Sequence, residues 1–505
     1  MAINSRLIPA DFTPIPSQAP EAAVHVEVTT ELVSPLDAVG FAVGSEGDVP
    51  SALGVDRDAL GRAGFTGALG QTLVIPRTDG PVYVAFGVGS SADQNHASLR
   101  DAAASFARAT ERFARIGIDL GDAFSLDPQL VGLLVTEGVL LARYRFTELQ
   151  PSASFVRLEA LDIVASADRH EAVAAGVHAG EVTSRATALA RDLANNPPGH
   201  LTATRMGLAA EEVAPRHGLT VTTFDKEQLI ALGCGGLLGV NAGSAEEPRM
   251  IKVTYSPESP TAHIGLVGKG IMYDAGGISL KPSDAMHLLM KMDMAGAAAI
   301  LGAMTALQAL GCTAKVTAWL MCTDNMPSGT AMGLGDVLTI RGGRTVEIKN
   351  TDAEGRLVMA DALVLATEEK VDAIVDVATL TGSALQTLGT RVAAVFGNNQ
   401  ALVDQAIAAS VTSDEPLWQL PLEHRYRPQL NSAVADMSNM GGPFNVAITA
   451  ALFLNDFVGD TPWAHLDIAG TMQTERDDSW RSAGATGFAT RLLIDLLLDY
   501  TPVNA

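Results

Sequence analysis

Within eight residues, Asn350-Thr351-Asp352-Ala353-Glu354-Gly355-Arg356-Leu357, the chain sets two carboxylates two positions apart, a guanidinium two further on, and a glycine between them. An extended segment with that spacing aims alternate side chains at one point. Alone, such a triplet reads first as a solvated surface turn. A second charged cluster upstream changes that reading. A glycine-rich run, Gly268-Lys269-Gly270-Ile271-Met272-Tyr273-Asp274-Ala275-Gly276-Gly277, leads to Lys281, and Lys291-Met292-Asp293-Met294 stands at the mouth of an uncharged stretch. Asp293 by itself fits a helix cap. Together, Asp274, Asp293, Asp352 and Glu354 are four carboxylates beside apolar strands and helices, which costs several kcal/mol per ion unless cations neutralise them. Two divalent ions would do so. Oxygen-rich ligation without cysteine points to Mn²⁺, Mg²⁺ or Zn²⁺ in a two-metal hydrolytic centre.

Other catalytic signatures are absent: there is no H-E-x-x-H, no G-x-S-x-G, and neither phosphate-cradling glycine spacing. His465, in Trp463-Ala-His-Leu-Asp-Ile-Ala, reads as a satisfied core or supporting residue. These residues lead to a dinuclear metal hydrolase, but not to its substrate, and they do not explain the lysines.

The elements that must position these groups alternate between strand-like and helix-like patterns. Val24–Thr30, Gln71–Pro76, Val82–Gly87 and Val156–Ala165 read as strands, and His96–Ile116 and Gln129–Arg145 as helices, which makes a first α/β domain over residues 1–167. An Ala-rich, Pro-free stretch, Glu171–Leu193, reads as a connecting helix within 168–196 and stops at Asn195-Asn196-Pro197-Pro198. Residues 197–505 form the larger domain, with strands near Leu219–Phe224, Met250–Tyr255, His263–Val267, Lys315–Met321 and Ala373–Val377. The expected class is α/β: two domains, each a mixed sheet flanked by helices, the C-terminal one carrying the dinuclear site at its strand ends.

At 505 residues the chain is too long for one ordinary core, and 47% apolar with 18% charged residues marks a globular protein. A net charge of −23 disfavours nucleic acid as a partner. Cys234, Cys312 and Cys322 are scattered, and Met1 to Pro20 carries no apolar core of a secretory signal, so a cytoplasmic location is expected. The uncharged run between Asp293 and Lys315 reads as a buried helix followed by a strand, not as a membrane span.

These stretches resemble the leucyl aminopeptidase (cytosol aminopeptidase) family of metallopeptidases. Asn350–Leu357 reproduces the family signature N-T-D-A-E-G-R-L, Val267–Asp274 matches V-G-K-G-x-x-x-D, and further matches fall at Arg191-Asp-Leu-Ala-Asn, Thr379-Leu-Thr-Gly, Ala435-Asp-Met-Ser-Asn, Trp463–Gly470 and Gly484-Ala-Thr-Gly. The resemblance implies that Asp274 and Glu354 bridge two metals, that Lys269 and Asp293 complete the tighter site, and that Asp352 completes the exchangeable one. A lysine ligand must be neutral, so the adjacent dication must depress its pKa.

By the same resemblance Lys281 stabilises the oxyanion, and Arg356 holds a bicarbonate that serves as general base towards the attacking water. Met290, Thr379, Ala469 and Met472 match the positions that line the pocket for an N-terminal Leu- or Met-like side chain, with broad tolerance. A metal-dependent exopeptidase acting on peptides follows, assembled as a homohexamer. The chain departs from the family at Ala275, where many relatives have Ser, and at Gly487-Phe488-Ala489, where they have G-R-P. A structural or DNA-associated role and a Cys-Gly dipeptidase are the competing readings. Retention of every metal and catalytic residue type weighs against the former.

Overall fold

Strands buried on both faces organise each half of the molecule. In the computed structural model, which describes residues 8, 12–32, 35–121, 124, 126–150 and 154–503, the chain divides into two units. Of the described residues, one unit takes those within 16–188 and 474–483, the other residues 8, 12–15, 189–473 and 484–503, and the division falls inside the helix His170–Asn195.

The first unit is built on β1 (His25–Thr29), β2 (Ala38–Val43), β3 (Thr72–Ile75), β4 (Val82–Gly87), β5 (Arg115–Asp119) and β6 (Ala160–Val164), in the order β1-β6-β5-β2-β4-β3. All pairs are parallel except β3 with β4, so the sheet is mixed. Two sequence expectations fail here. The helix expected over His96–Ile116 ends at Ala109, and Arg115–Asp119 is a central strand; β2 was not anticipated at all. Every residue of β2 is buried, so it lacks the polar alternation that would betray a strand. Gly40 within it lies under Phe106, whose ring a Cβ would meet at 2.6 Å.

The helix Pro128–Arg143 starts where Asp127 caps the backbone N–H groups of Gln129 and Leu130, with proline pre-set in the first turn. Its partner, His96–Ala109, opens on a reciprocal cap between Asn95 and Ser98.

In the second unit, chain order gives β7 (Thr220–Phe224), β8 (Arg249–Tyr255), β9 (His263–Asp274), β10 (Lys315–Asn325), β11 (Val337–Thr339), β12 (Thr345–Glu347), β13 (Ala373–Ala378), β14 (Ala393–Gly397), β15 (Leu417–Gln419), β16 (Met437–Ser438) and β17 (Trp463–Asp467). Eight of them form one sheet in the order β15-β14-β17-β13-β9-β10-β8-β7, and β11, β12 and β16 form a small separate one. The centre of the large sheet, β17, β13, β9 and β10, is parallel, with antiparallel pairs further out.

The uncharged run is the helix Ala295–Ala306, buried at every position, followed by β10. Ala285–Ala306 is long and apolar enough to cross a membrane, but most of it lies inside the fold. Its small residues permit close approach to the sheet: a Cβ on Gly296 would stand 2.1 Å from the Val377 carbonyl oxygen, and one on Gly268 would stand 2.8 Å from Ala297 Cα.

Candidate metal centre

β9 is longer than its sequence suggests. The strand expected to end at Val267 continues to Asp274, so the glycine-rich run is strand and not loop. Lys269 and Asp274 are five apart, which in a regular strand places them on opposite faces. Opposite β10 the register slips: Thr323 pairs with Ile271 and Asp324 with Tyr273, which leaves Met272 as an extra residue. This bulge inverts the alternation and returns Lys269 and Asp274 to the same face.

The segment Asn350–Ala353, expected to be extended, is a turn, and Glu354 sits immediately before the helix Gly355–Glu368. Gly355 is required there, since a Cβ would lie 2.5 Å from Lys269 Cε. Asp293 lies between a short 3-10 turn, Met290–Met292, and the buried helix. Its side chain does not cap that helix but turns to Lys269.

Lys269 Nζ donates to Asp293 Oδ1 at 2.8 Å and to the Thr379 carbonyl at 2.9 Å, and lies 2.9 Å from Glu354 Oε1. Lys281 Nζ lies 2.9 Å from Asp274 Oδ2 and 2.6 Å from Asp352 Oδ1. Ligand oxygens of Asp274, Asp352 and Glu354 all fall within 4.8 Å of one another. The four carboxylates and two lysines named at sequence level therefore converge. The two halves differ in access: Lys269, Asp293 and Glu354 are buried, whereas the Lys281 and Asp352 side chains are 21% and 32% exposed.

Burial, reinforced by neighbouring carboxylates, lifts Asp293, Asp352 and Glu354 above the usual carboxylate range. Burial alone would lower Lys269 and Lys281, but the acids around them outweigh it and hold both above an ordinary lysine. Two ammonium groups against four carboxylates leave a formal surplus of two negative charges among these six groups, and Glu354 Oε2 is buried with no hydrogen-bond partner among the described residues. That orphaned oxygen and the oxygen-only acid set fit divalent cations.

Several supporting residues were not assigned from sequence. Asn325, at the end of β10, donates from Nδ2 to Asp274 Oδ1 at 2.8 Å and to the Thr351 carbonyl at 3.0 Å. Thr351 Oγ1 donates to the Gly276 carbonyl at 2.7 Å and accepts from Ser279 N at 2.8 Å, tying the signature turn to the loop before Lys281. Asn439 takes Lys349 N on Oδ1 at 2.8 Å, gives Nδ2 to the Asn350 carbonyl at 2.6 Å, and offers its own carbonyl to Arg356 Nη1 at 2.8 Å. In the sequence Thr351 and Asn439 fall inside the motifs Asn350–Leu357 and Ala435-Asp-Met-Ser-Asn, and Asn325 is marked only as a polar amide at a strand end. Burial pulls the Arg356 guanidinium down to about 10, against Glu354 and Asp467, so it stays charged at neutral pH.

Of the four pocket positions, Thr379 joins the centre, donating from Oγ1 to Asp293 Oδ1 at 2.6 Å. Met290 is buried in the turn that leads to Asp293. Ala469 and Met472 follow β17, held by Asp467 Oδ1 and the Ile468 carbonyl. Ala275 acts through its backbone, donating to the Asn325 carbonyl and accepting from Lys281 N, both at 3.0 Å. Phe488 is buried, and Ala489 has φ +76°, a region closed to proline.

The sequence profile of the cytosol aminopeptidase family, catalytic domain, matches residues 188–494, and that of the N-terminal domain of the same family matches residues 54–152. A probable cytosol aminopeptidase of Roseiflexus castenholzii is 39% identical over 495 residues, covering 95% of this chain and 99% of the relative. Another, from Rippkaea orientalis, is 39% identical over 419 residues, covering 82% and 84%. Among solved structures, the bottromycin maturation enzyme BotP in complex with Mn superposes with a TM-score of 0.84 at 39% identity, covering 91% of this chain and 98% of that one.

Proposed function

We propose, from the premise that this chain belongs to the cytosol aminopeptidase family and is a metal-dependent aminopeptidase, that it removes leucine and other apolar residues from peptide N-termini with two metal ions. The observation that carries this reading is the surplus of two negative charges around the unpartnered Glu354 Oε2. Residues 197–505 are the catalytic domain, 1–167 the N-terminal domain and 168–196 the connecting helix.

Lys269, Asp274, Asp293 and Glu354 would hold one ion, and Asp274, Asp352 and Glu354 the other. When bound, the ions supply Lewis acidity for the scissile carbonyl and lower the pKa of water. The buried half suits a tightly held ion and the half-open half an exchangeable one. Mn²⁺ or Zn²⁺ fits the nitrogen and oxygen donor set. Lys281 keeps an ammonium beside the open half, where it stabilises the oxyanion of the tetrahedral intermediate. Arg356, charged and buried with Nε unpartnered, would hold bicarbonate, which supplies a base when bound. Thr379, Met290, Ala469 and Met472 wall the side-chain pocket, and Met makes that wall tolerant. A homohexamer in the cytoplasm completes the proposal.

The test loads the purified protein with Mn²⁺ or Zn²⁺ and follows leucine release from Leu-p-nitroanilide and Leu-Gly. Release that chelator abolishes and added metal restores is the expected outcome. Failure to release leucine from either substrate would sink the reading.

A further inference from the structure

Two strand ends meet beside the metal centre and share one acid. Asp467 closes β17, is the register partner of Ala378 at the end of β13, and is buried. Its carboxylate reaches across to the segment that follows β13. Oδ1 accepts from Leu380 N at 3.1 Å and Thr381 N at 3.4 Å, and Oδ2 accepts from Thr381 Oγ1 at 2.7 Å. On its own strand's side, Oδ1 also accepts from Ala469 N at 3.2 Å. Four donors thus converge on one side chain that offers acceptors only, which is how a buried carboxylate is tolerated.

The segments so held carry the pocket positions Thr379 and Ala469. The peptide between Thr379 and Leu380 is gripped at both ends: its carbonyl accepts from Lys269 Nζ at 2.9 Å, and its N–H goes to Asp467. A planar peptide held this way cannot turn, which keeps Thr379 Oγ1 on Asp293 Oδ1 at 2.6 Å. Ala469 comes from the other strand, and Met472 is tied to the same turn through its N–H to the Ile468 carbonyl at 3.1 Å. Leu380 N and Ala469 N both lie within 3.2 Å of one oxygen, so a single atom sets the spacing of two segments that sequence places far apart. Thr381 Oγ1 accepts from Ala384 N at 3.1 Å as the cap of the helix Gly382–Leu388, which leaves its proton for Asp467.

We infer that Asp467 is a positioning residue for substrate selection: it fixes Thr379 relative to Ala469, and so decides how sharply the site tells a leucine side chain from an alanine one. The inference rests on the reading of Met290, Thr379, Ala469 and Met472 as the side-chain pocket. With an amide in place of the carboxylate, an NH₂ faces either Thr381 Oγ1 or the three backbone N–H groups. Either way one set of donors loses its acceptor and one wall is loosened. A pocket with drifting walls still admits a side chain but no longer rewards its fit.

The Mn²⁺-loaded protein is assayed on Leu-p-nitroanilide and Ala-p-nitroanilide, and selectivity is the ratio of the two kcat/KM values. Loss of folded or metal-loaded molecules lowers both alike and leaves that ratio where it was, so a merely structural role does not move it. Asp467→Asn is expected to lower the ratio about tenfold, chiefly through a higher KM for the leucine substrate. Thr381→Val, which keeps the shape and deletes the hydroxyl, should lower it less, and Thr381→Ser should keep the parent ratio. If D467N does not fold, the T381V and T381S pair decides. A parent-like ratio in D467N, or a T381S that falls as far as T381V, overturns the inference. Ala469→Leu tests the pocket itself by crowding one wall, and is expected to reject leucine more than alanine. A parent-like ratio in A469L would refute the pocket reading and the inference with it, whereas a sensitive A469L beside an insensitive D467N overturns the inference alone.

Discussion

Two buried clusters of charge, one in each unit, solve the same physical problem in opposite ways. In the first unit Arg100 Nε meets Glu137 Oε2 at 2.8 Å while Thr183 Oγ1 donates to Glu137 Oε1 at 2.6 Å, so both carboxylate oxygens are answered. In the second, Asp274, Asp293, Asp352 and Glu354 share the ammonium groups of Lys269 and Lys281, and among the described residues Glu354 Oε2 has no hydrogen-bond partner. The Arg100–Glu137 pair is as buried as Lys269, Asp293 and Glu354 in the second cluster. Charge balance separates a structural ion pair from a site that awaits cations, because a buried charge without a counter-charge is tolerated only where binding offsets it.

The largest effects come from removing one acid from each cluster. Glu354→Gln should abolish turnover and reduce the metal bound per chain, measured by elemental analysis, while the melting temperature of the chelated protein holds or rises as one surplus charge is relieved. Glu137→Gln should do the reverse, destabilising the fold by about 3–5 kcal/mol in denaturant titration, since it removes the carboxylate that faces the buried Arg100 guanidinium. If both variants lost stability equally, charge balance would not distinguish the clusters. Lys281→Ala comes next, with kcat lower by about 10²–10³ and metal content retained. A K281A variant that lost its metal instead would move Lys281 from an oxyanion role to a structural one.

The site was legible in the sequence because charge among apolar residues is conspicuous: Lys269, Asp274, Asp293 and Glu354 are buried beside strands or helices, and Asp352 stands half-buried next to them. Their local geometry was not legible. Gly268 and Gly270 made β9 look like a loop, although they are glycines because Ala297 and the Met321 carbonyl press against the strand. The bulge at Met272 leaves no mark on composition. The fold was legible wherever strands alternate or helices carry caps, and illegible at Ala38–Val43, buried on both faces, and at Arg115–Asp119, whose apolar residues continue the preceding helical pattern. Asn325, Thr351 and Asn439 act through hydrogen bonds to residues distant in sequence, and periodicity cannot report such bonds.

Asp361 offers a third solution, and it sharpens the contrast by the smallest of the expected effects. This fully buried acid is answered by backbone: Oδ2 accepts from Leu237 N at 2.8 Å, in the first turn of the helix Gly235–Asn241, and Oδ1 accepts from Arg341 N at 2.9 Å. Burial pushes it up to about 7 against these bonds. The unfolded chain releases this proton near pH 3.9, roughly the ordinary aspartate value. Between about pH 4 and 7 the folded protein therefore binds more protons than the unfolded one, and stability falls as pH rises through that window. Asp361→Asn cannot titrate, and it turns an amide NH₂ towards backbone donors. It should cost about 1–3 kcal/mol at pH 5, with the difference from the parent shrinking towards pH 8 and activity per folded molecule unchanged. Denaturant titrations at both pH values measure it, and a difference that grew with pH would mean that the backbone donors, not burial, govern this acid.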